Sequence, residues 1–151
     1  MTSNKRTARI AGLLYLIVVL TGIFYLMYVP SKLIVWDSAS ATFTNITDSE
    51  SLFRLGILSG LGCHTAFLLL PLVLYKLFKP VNKVYALLMV VFAVVSVPMA
   101  FINFGNEFSV LTLISKADYL KTFEIDKLQA QVLLYLHFYN NGNQIISIFS
   151  G

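Results

Sequence analysis

All eighteen charged side chains of this chain lie outside four windows: Ile10–Ser31, Leu55–Tyr75, Val84–Asn106 and Leu128–Gly151. Each window is 21 to 24 residues long. Crossing ~30 Å of hydrocarbon at ~1.5 Å per residue takes ~20 residues, so each window fits one helix with little to spare. A soluble core does not sort its charges in this way. Charged residues make up 12% of the chain, against roughly 25% in soluble domains, and the mean hydropathy is +0.79. The expected fold is all-α: a polytopic transmembrane helix bundle with four membrane-spanning helices, in one transmembrane domain over residues 1–151. The helices are expected at about 10–29, 48–78, 84–104 and 128–151, with outer loops at about 31–47 and 105–127.

The first window carries Leu, Ile, Val or Phe at twelve of the twenty residues from Ile10 to Val29, an insertion energy on the order of −5 kcal/mol before polar contributions. Its apolar run is too long for the core of a cleaved signal peptide, and Ala39-Ser40-Ala41 lies too far beyond it to serve as a cleavage site. Pro30 is expected to end this helix. Tyr25, Tyr28 and Trp36 fall where an aromatic belt would sit. Thr47-Asp48-Ser49-Glu50 has the spacing of a capping box opening the second helix, where Glu50 and Arg54 would pair. Pro71 and Pro98 lie inside the second and third helices, where neighbouring helices can satisfy the carbonyls they free. Between those helices Lys76, Lys79 and Lys83 surround Pro80 and Asn82 in a tight basic turn. Ser115 and Asp118 repeat the capping spacing and suggest a short interfacial helix before the fourth span.

Lys and Arg set the orientation. Six of the eleven lie at the N-terminus and the basic turn, in far fewer residues than the long loops that hold the other five. The N-terminus is therefore expected in the cytoplasm of a cell-membrane protein. The basic residues flank membrane segments, which accounts for the net charge of +4 with a lipid bilayer as partner and no nucleic acid. Cys63 is the single cysteine, so no intrachain disulfide can form. Window centres one and three, and two and four, are each offset by about 75 residues, the spacing of a duplicated hairpin. The fourth window reaches Gly151 with no basic anchor behind it, as a C-terminally truncated chain would.

Polar groups inside the windows are the candidate sites, because they are costly in a bilayer and often functional. His64 and His137 are each the tenth residue of their window, at matching depths ~14 Å below its first residue. Facing imidazoles could hold haem or a metal, or relay protons. Separately, each would only hydrogen-bond within the bundle, and no CxxCH, HxxxH or HExxH spacing supports a metal. On the fourth helix His137, Asn140, Asn141, Gln144 and Ser147 share an arc of ~120°. That stripe would line a substrate or ion pathway, or serve as interhelical hydrogen-bond glue at ~0.6 kcal/mol per contact. Asn103, Asn106 and Glu107 cluster at the outer end of the third helix, as a vestibule or an ordinary helix exit. Gly56, Ser59, Gly60 and Cys63 form a small-residue face suited to close helix packing, and no strand precedes Gly56–Gly62 as a dinucleotide loop requires.

Five stretches resemble the prokaryotic domain-of-unknown-function 4386 family. They are Ala8–Tyr15, Leu52–Ile57, the basic run Leu74–Lys83, Ser96–Asn103 and the closing Ile145–Gly151. The resemblance implies a small multi-pass membrane protein that continues past Gly151 to six helices in all, and it brings no functional residues to carry over. The expected function is a non-enzymatic integral membrane protein, transporter-like or a structural bundle, without a cofactor and with a second copy or another membrane protein as a further partner. The rivals are a membrane-embedded haem or metal redox protein or enzyme using His64 and His137, and a sensor or accessory subunit with partner-binding outer loops.

Overall fold

Apolar residues extend the first helix well beyond its hydropathy window. In the computed structural model, helix α1 covers Thr2–Ile23, a wide π-turn follows at Phe24–Tyr28, and α2 continues at Val29–Leu33. The structure describes residues 2–115 and 117–150, and the side chains of all of these except 2, 3, 119, 149 and 150. Pro30 does not end the rod as expected. It lacks an N–H, and in a regular α-turn its ring would strike the carbonyl four residues back. The wide turn just before it, where the Val29 N–H reaches the Phe24 carbonyl, takes up that ring. The same turn directs Tyr25 inward, where it is buried, so only Tyr28 and Trp36 remain exposed for an aromatic belt.

The loop expected at 31–47 contains a helix, α3 at Ala39–Asp48. Ser38 caps it, its Oγ accepting from the Ala41 N–H at 3.3 Å. Thr47 does not cap α4 (Glu50–Phe78); its hydroxyl donates to the Phe43 carbonyl at 2.8 Å within α3. Glu50 is taken instead by Arg54, at 2.6 Å. Asn82 closes the basic turn by accepting from the Val84 and Tyr85 N–H groups at 3.0 and 3.2 Å, and α5 runs over Lys83–Ile114. Both α4 and α5 continue through their prolines. Ten residues assigned above to the second outer loop are thus helical. Ser115 ends α5, donating to the Thr112 carbonyl at 2.7 Å, and opens no interfacial helix; a single 3-10 turn at Asp118–Thr122 leads into α6, Ile125–Ser150.

No strand occurs among the described residues. Contacts run α1 to α4, α4 to α5 and α5 to α6, with α3 laid across α6. The shared core joins Tyr25, Val29, Phe53, Ile57, Phe104 and Leu136 among others, all toward the end opposite the basic turn. The small-residue face of α4 lies within it. A Cβ on Gly56 would stand 2.9 Å from a Val29 methyl, and one on Gly60 would meet the Phe104 and Tyr25 rings. Cys63 donates to the Val18 carbonyl at 3.4 Å, and Ser59 is half-buried.

Among the described residues three helices, not four, are long and apolar enough to cross a membrane: Asn4–Leu33, Glu50–Phe78 and Lys83–Ile114, at 30, 29 and 32 residues. Helix α6 has the length but not the apolarity. His137, Asn140, Asn141, Asn143 and Gln144 interrupt its centre, and each such side chain offsets several aliphatic ones on a transfer scale.

Candidate functional site

Asn103 is one of few polar side chains buried in the structure, and two elements share it. From α5 its Nδ2 donates to the Tyr139 carbonyl at 2.8 Å and to Asn143 Oδ1 at 3.0 Å, both on α6. One turn along, Asn106 Nδ2 donates to Asn103 Oδ1 at 3.1 Å and to the Asn103 carbonyl at 3.2 Å. The approach depends on Gly142, since a Cβ there would occupy the space of the Asn103 amide. An amide network of this kind uses donors and acceptors that would otherwise stand unpaired in an apolar setting.

Four residues past Asn103, on the same face of α5, stands Glu107. Its Oε2 is buried without a hydrogen-bond partner, and so is the hydroxyl of Tyr139. The two groups, with Asn143, are close enough to interact. Aromatic rings close the other side. Phe104 lies 5.6 Å from Tyr139 and 5.6 Å from His64, nearly perpendicular to the imidazole at 85°. Tyr25, aimed inward by the π-turn, lies 5.8 Å from His64 and 6.2 Å from Phe104. His64 Nδ1 stands 2.9 Å from the Gly60 carbonyl; a carbonyl only accepts, so Nδ1 carries the proton and Nε2 keeps its lone pair. Two features thus meet: a polar amide ladder between α5 and α6, and a cluster of aromatic rings of which Tyr25 and Tyr139 lie beside a carboxyl.

Of the sequence-derived candidates, Asn103 and His64 lie in this centre. His137 does not join them. It is exposed on α6 and stacks against Trp36, ring centroids 5.0 Å apart, while His64 is enclosed by Tyr25 and Phe104. Asn140, Asn141, Gln144 and Ser147 are exposed too, and Ser147 only donates back to the Gln144 carbonyl at 2.7 Å. The face of α6 turned to α5 is the neighbouring one, with Tyr139, Gly142, Asn143 and Ile146. Glu107 was grouped from sequence with Asn103 and Asn106 as a vestibule or helix exit; Tyr139, Asn143 and Tyr25 were not singled out as site residues. The i,i+4 steps Asn103 to Glu107 and Tyr139 to Asn143 were the available signal, since each puts two polar groups on one helix face.

Among the described residues no three of His, Cys, Asp and Glu gather as a metal site. An open groove of about 410 Å³ between α5 and α6 reaches the amide ladder, with Asn103, Asn106 and Gly142 in its wall beside Met99, Ile102 and Ile146. The family model described as domain of unknown function (DUF4386) matches residues 10–151. No curated protein and no solved structure matches the chain.

Proposed function

Because the chain belongs to the DUF4386 family, a membership that fixes kinship and no chemistry, we propose its function from its own geometry: a non-enzymatic, transporter-like multi-pass protein of the cell membrane. In this reading α6 crosses as a fourth span beside the three apolar rods, with the N-terminus and the Lys76–Lys83 turn in the cytoplasm. Its inward polar groups are met by α5, and the α5–α6 seam is the pathway.

The observation that carries the proposal is the buried, unpartnered carboxyl oxygen of Glu107 beside the unpartnered hydroxyl of Tyr139. Hydrogen-bond glue accounts for Asn103 and Asn143, which satisfy each other. It does not account for a carboxyl oxygen held without a counter-charge, a costly placement that marks functional sites more often than packing. The redox alternative needs His64 and His137 at one ion, and their separate aromatic surroundings give it no support.

The test is flux. Purified protein in liposomes, with a pH-sensitive dye inside and a potassium diffusion potential imposed, should admit protons several-fold faster than protein-free vesicles. Asn103→Leu, which breaks the amide ladder, should lower that rate. Equal rates for wild type, variant and empty vesicles would remove the transport reading.

A further inference from the structure

We infer that Glu107 is a proton-binding carboxyl, with the Tyr139 hydroxyl as its switching partner and the Asn103–Asn106 groove as its access from water. This deepens the transporter reading and rests on it only for its use, not for its chemistry. Tyr139 from α6 and Tyr25 from the π-turn face Glu107; behind them Cys63 lies beside Tyr25, His64 packs on Tyr25 and Phe104, Asn143 lies beside Tyr139, and Asn103 and Asn106 precede Glu107 on its own helix. None is a fixed cation. Every described Lys and Arg is exposed, and the ion pairs they form are surface pairs with Glu50, Asp118 and Glu124.

A carboxylate beside these rings has no cation to pair with, and withdrawing its Oε2 from water unpaired is unfavourable. A metal ion would need several oxygen or nitrogen ligands, and among the described residues no three of His, Cys, Asp and Glu gather here. A proton needs neither room nor ligands. When Glu107 gains H⁺ from water in the groove, its carboxylate becomes a carboxylic acid and Oε2–H donates to the Tyr139 oxygen. When the proton leaves, the Tyr139 O–H turns and donates to Oε2. Each state therefore gives both orphaned atoms a partner after a small approach, and only the direction of one hydrogen bond changes. Depth suits the exchange. Glu107 stands 24 residues beyond Lys83, ~36 Å along the helix, near the outer boundary of a ~30 Å hydrocarbon layer.

Infrared difference spectroscopy on the whole protein in liposomes, across a pH series in sodium-free buffer, reads this directly. We expect a protonated-carboxyl carbonyl band that persists at neutral pH, after exposed carboxylates have lost theirs. Glu107→Gln should abolish it. Tyr139→Phe should keep the band but shift its frequency, because the hydrogen-bond partner is gone. Should Glu107→Gln fail to fold, Glu107→Asp keeps a carboxyl on a shorter arm and should displace the band. No such band in the wild type, a band untouched by both Glu107 variants, or one displaced by added sodium would overturn the assignment. A band without proton flux supports the Glu107 assignment and removes only the transport reading; flux without the band overturns the assignment alone.

Discussion

One methyl group on Gly142 is enough to test the amide ladder. The added Cβ would enter the space of the Asn103 side chain, which then gives up its bonds to the Tyr139 carbonyl and Asn143 Oδ1. Two buried hydrogen bonds at ~1 kcal/mol each, plus the strain of overpacking, predict a loss of about 2–4 kcal/mol for Gly142→Ala. Gly105→Ala is the control. Its Cβ meets nothing within 4 Å, and alanine in a helix interior gains roughly 0.5–1 kcal/mol over glycine. Thermal aggregation in detergent should separate the two by many degrees, and equal midpoints would show that the ladder adds no stability. Asn103 was legible in the sequence because an amide stands out in an apolar run. Glu107 was legible only as one of a cluster at a helix exit, since it follows the last residue of its window and its burial against α6 is not written there. Tyr139 escaped because its ring reads as apolar, and only the fold reveals a hydroxyl without a partner.

Helix α3 was invisible to hydropathy, and Thr42 ties it to the link that precedes it. Thr42 is fully buried, and its Oγ1 both accepts from the Val35 N–H and donates to the Val35 carbonyl, each at 2.9 Å. Thr42→Val keeps the shape but leaves the Val35 N–H unpaired, while the Val35 carbonyl keeps the Ser38 N–H at 3.0 Å, a cost of about 1–3 kcal/mol. Thr42→Ser keeps both bonds and removes one methyl, at about 1 kcal/mol. The serine variant should therefore melt above the valine variant, although valine is the closer isostere; the reverse order would mean that packing, not hydrogen bonding, seats α3. Composition hid this helix, because Ser, Thr and Asn are as common in caps and turns as in a short helix laid on a neighbour. The capping spacing at Thr47–Glu50 pointed to the right helix, but Arg54 holds Glu50 in its place. Pro30 likewise marked a break that the π-turn absorbs. Local signals located the elements, and contacts with other elements decided their ends.

At the scale of the molecule, the three long rods exceed what a bilayer needs. Helices of 29 to 32 residues reach ~44–48 Å at ~1.5 Å per residue, leaving about 15 Å beyond the hydrocarbon. That excess carries the extra turns of α5 and the first turns of α4, and α3 sits at the same outer end. The all-helical fold follows from the charge spacing alone, because only the gaps between charges were long enough for it. The fourth span does not follow, since α6 presents His137, Asn140, Asn141 and Gln144 uncovered. Single cysteines in a Cys63→Ser background resolve its path, and serine suits that background because its hydroxyl can also donate to the Val18 carbonyl. Ser40→Cys on α3, Lys79→Cys in the basic turn and Ser147→Cys on α6 are all exposed positions. If α6 crosses beside α5, Ser147 precedes the Ile148 that lies with Met89 and Phe92, ~9–14 Å along α5 from Lys83 and therefore within the hydrocarbon. An impermeant maleimide on intact cells should then label position 40 and neither 79 nor 147, and permeabilised cells should add 79 alone. Labelling of 79 but not 40 would reverse the orientation drawn from the basic residues. Labelling of 40 and 147 together in intact cells would keep that orientation and lay α6 on the outer surface, its polar stripe turned to water.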